Sequence, residues 1–228
     1  MESFAINIGD FALSEPVTAI SDLLLTLLCL SVCKLLQRMS GKNSAITYWQ
    51  LFFFGMSLSV LTGVFVHGFR HYQTEEQHYL TWMLMNSITG CSVYFAQLAT
   101  SRSVLKDTRQ GNILRMIAQV QILVYLTCLF FIHSFMVVKI QIAAGMVPVM
   151  VIYIMNYRKG GKGGGWIGLG IGLSFFSAVF HTLKLSINER WFNYNDLSHV
   201  FITASFIMIA AGVKIYHRNT LNVPVVNK

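Results

Sequence analysis

The chain has 228 residues, of which 54% are hydrophobic and only 11% are charged. Soluble globular proteins carry about 25% charged residues, so this composition excludes an ordinary soluble protein. The formal net charge of +8 would suit a nucleic-acid partner, but most of the positive charges fall between apolar segments, and we expect no nucleic-acid binding. Because the apolar segments leave no room for a separate soluble fold, we expect a single domain over residues 1–228.

Seven apolar segments are long enough to cross a membrane, since a helix needs about 20 apolar residues to span ~30 Å of hydrocarbon. They run from 17 to 37, 47 to 67, 80 to 100, 113 to 133, 135 to 155, 164 to 184 and 196 to 216. The apolar run from 113 to 155 is too long for one helix, and His133-Ser134 is its best polar break, so the fourth and fifth helices should form a tight hairpin. The sequence predicts an all-α, seven-transmembrane helix bundle.

The Lys and Arg residues alternate from loop to loop as this layout requires. Thirteen fall on one side, and four fall on the other: Lys34, Arg38, Lys42, Arg102, Lys106, Arg109, Arg115, Arg158, Lys159, Lys162, Lys214, Arg218 and Lys228, against Arg70, Lys139, Lys184 and Arg190. Cytoplasmic loops carry the excess of cations, so we expect the N-terminus outside or in a lumen and the C-terminus in the cytoplasm. We expect a multi-pass membrane protein surrounded by membrane lipids; plasma membrane and endomembrane (ER or Golgi) both stay open, as does oligomeric state.

Ionisable side chains gather at the outer level of the predicted bundle: His67, His71, His78, His133, His181, His199, Asp22 and Asp196. Such residues at membrane depth are costly and mark functional sites by default. For His78 and His133 we prefer hydrogen bonding at the membrane interface. Asp22 lies about 7 Å into the first helix, which favours a paired or site-lining role.

Imidazole and carboxylate groups are preferred ligands of Zn²⁺. Asp196 and His199 are three residues apart, so they share one face of the seventh helix, while His67 and His71 share a face if the second helix continues that far. Asp196 has the alternative role of an N-cap for the seventh helix. Two helices can therefore supply a compact metal site.

Two motifs carry a resemblance to a known group: TGVFVHGF at residues 62–69 and NYNDLSH at residues 193–199. With seven spans, they resemble the CREST superfamily, which contains the alkaline ceramidases and the progestin and adiponectin (PAQR) receptors. The chain is most similar to an uncharacterised family of that group with an N-D-x-x-H element opening the last helix. The resemblance implies a Zn ion held by three histidines, one from the second helix and two from the seventh, that hydrolyses lipid amides with help from a Ser and an Asp.

Carried onto this chain, the resemblance assigns His67 and His199 as two of the three ligands. Gly63 stands where the family has its serine, and Asn195 stands where it has the remaining histidine. Asp196 could replace the missing ligand. His181 or His71 could complete the set.

Two functions remain open from the sequence. The first is a Zn-dependent membrane hydrolase acting on a lipid amide or ester, ceramidase-like, with His67, His199 and Asp196 as ligands, Asp22 and Asp196 as catalytic residues, and Glu75 as another candidate base. The second is a non-enzymatic receptor, or a protein that binds a small solute or lipid in the same seven-helix bundle. The serine missing at Gly63 favours the second.

Overall fold

The structure is a computed structural model that describes residues 5–9, 11–40 and 43–221. Within them the chain forms seven long helices, and each predicted segment falls on one: α1 Pro16–Ser40, α2 Ser44–Gly68, α3 Glu75–Thr100, α4 Arg109–Phe131, α5 Phe135–Arg158, α6 Gly164–Leu183 and α7 Tyr194–Leu221. Two of the cations assigned to the cytoplasmic side, Lys42 and Lys228, lie outside the described residues.

A short β hairpin precedes α1, which the all-α prediction omitted. Strand β1 (Ala5–Ile8) pairs antiparallel with β2 (Phe11–Ser14), with Ile8 opposite Phe11. Gly9 has a φ of 63°, which suits the first position of a two-residue hairpin turn. The backbone N–H of Ala12 donates to the Tyr72 hydroxyl at 2.7 Å, so the hairpin lies beside the chain that follows α2. A hydropathy search for membrane spans cannot detect this hairpin, because its four-residue strands are far shorter than a membrane span.

The break between α4 and α5 is where the sequence predicted it. Helix α4 ends at Phe131, and α5 begins at Phe135. The Ser134 hydroxyl accepts a hydrogen bond from the backbone N–H of Met136 at 3.3 Å, so this residue caps α5.

In the part of the chain that the structure describes, six of the seven helices, all except α3, are long and apolar enough to cross a membrane. Their outward faces expose large apolar side chains, such as Leu123 at 66% and Leu169 at 64%. Monomeric soluble proteins rarely expose contiguous apolar surface on this scale. Helix α3 is also long, at 26 residues, but it is more polar and buries Asn86, Ser92 and Gln97 against its neighbours.

An apolar seam fixes how α1 faces the rest of the bundle. Leu25, Cys29, Val32 and Leu36 are buried at helical spacing along one side of α1. They belong to a core that continues through Trp49, Phe52 and Phe53 of α2 and Phe206 of α7. Because this face of α1 packs toward α7, the residues that precede Leu25 on the same face also meet α7, nearer the start of α1.

Candidate functional site

Polar residues on α1 and α7 face each other at the end of the bundle where α2 ends. The Thr18 hydroxyl donates to Asp196 Oδ1 at 2.7 Å, and one turn deeper Ser21 Oγ is 2.7 Å from His199 Nδ1. On the other side of the same imidazole, Nε2 is 3.5 Å from Asp22 Oδ1. Asp196 and His199 share one face of α7, as their spacing predicted.

His67, at the end of α2, joins this group through Glu15. Its Nδ1 is 2.9 Å from Glu15 Oε2, which also accepts a hydrogen bond from Asn195 Nδ2 at 3.4 Å. Burial favours the neutral carboxyl, but the hydrogen bond and charge of His67 outweigh it, so the pKa of Glu15 lies below its ordinary 4.5. The carboxylate thus accepts Nδ1–H, and His67 Nε2 has no hydrogen bond to a described residue.

We call this group the acid–histidine cluster: Glu15, Asp22, His67, Asp196 and His199, with Thr18 and Ser21. Asp22 is its most unusual member. It is 3% exposed, and its Oδ2 atom has no hydrogen-bond partner in the described part of the chain. A buried polar atom without a partner is costly and calls for an explanation such as a proton or an ion.

Gly63 makes room for the Asp22 side chain. A Cβ atom at this position would lie 2.9 Å from Asp22 Oδ2 and 3.3 Å from Cγ. Any larger residue there would have to displace the carboxyl group. Gly63 is therefore matched to a carboxyl group that arrives from α1.

The donor set suits a metal ion in its chemistry. Two ligands held at about 2.1 Å in a tetrahedral site stand roughly 3.4 Å apart, close to the 3.5 Å between His199 Nε2 and Asp22 Oδ1. Both His67 and His199 engage Nδ1 in a hydrogen bond and keep Nε2 for another partner, as metal-bound histidines do. The set is not closed, however: no three His, Cys, Asp or Glu side chains within 5–9, 11–40 and 43–221 converge on a point that would hold a metal.

Comparison with known families places the whole bundle in one group, because the match covers residues 17–218, from the first turn of α1 into the last turns of α7. The chain belongs to DUF6962, a family of unknown function. No curated protein and no solved structure matches it.

Both carboxylate oxygen atoms of Asp196 in this DUF6962 protein accept hydrogen bonds. Oδ1 accepts from Thr18, and Oδ2 accepts from the backbone N–H of Asn193 at 2.8 Å. The Asn193 side chain in turn accepts from the backbone N–H of Asn195 and of Asp196. Asn193 is thus the residue that caps α7, and Asp196 completes a reciprocal capping arrangement. A metal-ligand role for Asp196 stays a prediction.

The two remaining predicted ligands lie apart from these contacts. His71 is exposed on the short 3₁₀ helix Arg70–Tyr72, where its ring packs edge-on against Tyr72. The ring of His181 packs against Phe135 and Tyr194, with centroids 4.9 and 5.2 Å away, and its Nδ1 is buried without a described partner. Neither makes a hydrogen bond with the acid–histidine cluster.

Sequence reasoning missed three members of the cluster, Glu15, Thr18 and Ser21. A signal was present: positions 15, 18, 21 and 22 follow helical spacing and interrupt an otherwise apolar segment. Glu15, however, precedes α1 and adopts a left-handed φ of 40°, which no periodicity predicts.

Proposed function

We propose that this chain is a seven-span integral membrane protein that binds a metal ion at the acid–histidine cluster and hydrolyses a lipid amide or ester. The observation that carries the proposal is the buried Asp22 carboxyl group, with one oxygen beside His199 Nε2 and the other without a partner. A cation bound between His199 Nε2 and the Asp22 carboxyl group would give both side chains a partner.

The seventh span is α3. At 26 residues and about 1.5 Å per residue it extends about 39 Å, enough to cross the hydrocarbon. Its buried polar residues include Asn86 and Gln97, and polar groups at membrane depth are tolerated where they face protein. With seven spans, the cation excess puts residue 2 outside or in a lumen and residue 228 in the cytoplasm. Epitope tags at these two residues should lie on opposite sides of the membrane, and equal protease sensitivity at both would refute the layout.

The proposed ligands are His199, Asp22 and His67. Compared with the set predicted from sequence, Asp22 replaces Asp196 as the carboxylate ligand. A bound Zn²⁺ would supply an activated water and polarise a carbonyl group. This set keeps the two histidines that match the CREST motifs, and it places a carboxylate from α1 against Gly63.

The chain's other residues hold these ligands in place. The Glu15 carboxylate orients His67, and Ser21 orients His199, so both present Nε2. Asp196 ties the start of α7 to α1 through Thr18 and acts as a positioning residue. The apolar outer faces of the helices support a substrate drawn from the surrounding lipid, whose acyl chain would enter between helices.

A second candidate function is a non-enzymatic receptor or lipid-binding protein with the same bundle. Gly63 in place of the family's serine favours it. So does the incomplete convergence of the ligands in the described residues.

Hydrolysis of a fluorescent ceramide by the purified chain in nanodiscs separates the two. We expect fatty-acid release by the wild type and its loss in His199→Gln and Asp22→Asn. His133→Gln should retain activity, because the wild-type His133 ring packs against Tyr79 away from the cluster. Absence of turnover in a wild type that contains metal would contradict the hydrolase and favour the second function.

A further inference from the structure

A second polar site lies at the opposite end of the bundle. It is a cavity of about 100 Å³ between the start of α2, the turn after α3, and the last turns of α5 and α7. Asn43, which lines it, and His67 are at the two ends of α2, roughly 36 Å apart at 1.5 Å per residue. The cavity therefore has no part in the function proposed above.

Hydrogen bonds fix the aromatic wall of this cavity. Trp49 Nε1 donates to the Tyr153 hydroxyl at 3.2 Å, and that hydroxyl is 2.8 Å from Ser103 Oγ. The Tyr216 hydroxyl donates to the backbone carbonyl of Ser103 at 3.1 Å. These contacts join α2, α5 and α7 to the turn after α3, so the cavity is preformed.

The charge around the cavity is positive. Arg102, Lys106 and His217 line it, and no carboxylate does so among the described residues. The Arg102 guanidinium binds Asp107, whose side chain is 85% exposed, at 3.2 Å. The Lys106 ammonium group has no hydrogen bond or ion pair with any residue that the structure describes, so its charge is available to a ligand.

His217 adds a hydrogen-bond donor that has no partner among residues 5–9, 11–40 and 43–221. Asn43 Oδ1 accepts from the backbone N–H of Ala45 and of Ile46, which turns its Nδ2 toward His217 Nδ1 at 3.4 Å. Nδ1 therefore accepts, and the proton of the ring is on Nε2. His217 is only 6% exposed, and Nε2 has no hydrogen bond to a described residue. The imidazole thus offers an N–H group to a ligand in the cavity.

A strained turn brings the two cationic side chains to this place. Helix α3 runs into one π-helical turn, Ser101–Leu105, and Lys106 follows with a φ of 54° and a ψ of −141°. The Ser101 hydroxyl donates to the carbonyl of Gly111 at 2.9 Å, and a Cβ on Gly111 would lie 2.4 Å from the Lys106 carbonyl oxygen. π turns and non-glycine residues in such conformations concentrate at functional sites.

We propose that this cavity binds a phosphate group, carried by a lipid headgroup or by a small soluble phosphate. The Arg102 and Lys106 cations and the N–H donor of His217 match an oxyanion with several acceptor oxygens. The start of α2, which contributes Ala45 and Ile46 to the lining, adds the positive end of its helix dipole. The volume admits one group of this size.

The experiment uses the full chain in nanodiscs, with the thermal unfolding midpoint as the readout. In one arm, phosphatidylcholine nanodiscs are titrated with inorganic phosphate at constant ionic strength. In the other, nanodiscs contain increasing phosphatidic acid. We expect Lys106→Gln to weaken the apparent affinity by at least about tenfold, as loss of a charged hydrogen bond does, and His217→Gln to weaken it as well. Lys162→Gln, which removes an exposed cation between α5 and α6 outside the cavity, should leave it within about twofold.

A shift in the phosphate arm assigns the site to soluble phosphates, and a shift in the phosphatidic acid arm alone assigns it to a lipid headgroup. No shift in either arm would overturn the proposal. So would equal responses from the wild type, Lys106→Gln and Lys162→Gln, because they would reduce the effect to general charge attraction. Arg102→Gln provides a second cavity variant if Lys106→Gln folds poorly.

Discussion

Asp196 should contribute more to stability than any exposed acid of the chain, because it joins α7 to α1 and closes the capping arrangement of α7. Asp196→Ala removes the acceptor for the buried Thr18 hydroxyl and the acceptor for the backbone N–H of Asn193. Hydrogen bonds to a charged group contribute about 1.5–3 kcal/mol each. We expect a loss of roughly 3–5 kcal/mol for the two together.

Asp196→Asn should be much milder. The amide keeps one acceptor oxygen for Asn193, and the Thr18 hydroxyl can accept from the amide nitrogen in place of donating. Only the charge is lost, so we expect a cost of about 1–2 kcal/mol.

Differential scanning fluorimetry in detergent measures this series. At about 2–4 °C per kcal/mol for a protein of this size, Asp196→Ala should lower the unfolding midpoint by at least about 6 °C. Asp107→Ala is the matched control: its side chain is 85% exposed, so its midpoint should stay near that of the wild type. An Asp196→Ala protein as stable as the control would refute the α1–α7 contact. Equal falls in the unfolding midpoint for Asp196→Ala and Asp196→Asn would show that charge, and not hydrogen bonding, sets the contribution of Asp196 to stability.

Other predictions concern the Glu15–His67 pair and two helical glycines. Because the pKa of Glu15 is below 4.5 in the folded chain, the stability it contributes is present above about pH 4.5 and is lost as the pH falls through that lower pKa. Acidification below pH 4.5 should therefore lower the midpoint of the wild type more steeply than that of Glu15→Gln; parallel profiles would contradict the pair. Gly90→Ala should cost about 1–3 kcal/mol in unfolding measurements, since its Cβ would lie 2.1 Å from the ring of the buried Tyr125. Gly172→Ala, whose nearest neighbouring atom is 3.9 Å away, should be neutral or stabilising by up to about 1 kcal/mol; an equal loss from both would refute the packing.

Hydropathy and length predicted the long helices because each segment is set by its own composition. The seven segments and the break before Ser134 needed no knowledge of how the helices pack. The hairpin at Ala5–Ser14 was beyond this method, since its strands are short and depend on a turn at Gly9.

The site was predictable only in part. The spacing of Asp196 and His199 required that they share a face of α7. The depth of Asp22 indicated a paired role, and the structure brings its Oδ1 atom to 3.5 Å from His199 Nε2. Which face of α1 meets α7 depends on the rotation of α1 in the bundle. The partnership of Thr18 with Asp196 therefore could not be derived from either helix alone.

Metal content tests the central claim most directly. Elemental analysis of the purified chain should find about one Zn²⁺ per molecule in the wild type. The Zn²⁺ should be absent from His199→Gln, Asp22→Asn and His67→Gln, because each substitution removes a ligand. Asp196→Asn changes only a positioning residue and should lower the affinity for Zn²⁺ by about 10- to 100-fold at most. Wild-type protein without metal after saturation with Zn²⁺ and washing, or full occupancy in His199→Gln and Asp22→Asn, would contradict a metal site at the acid–histidine cluster.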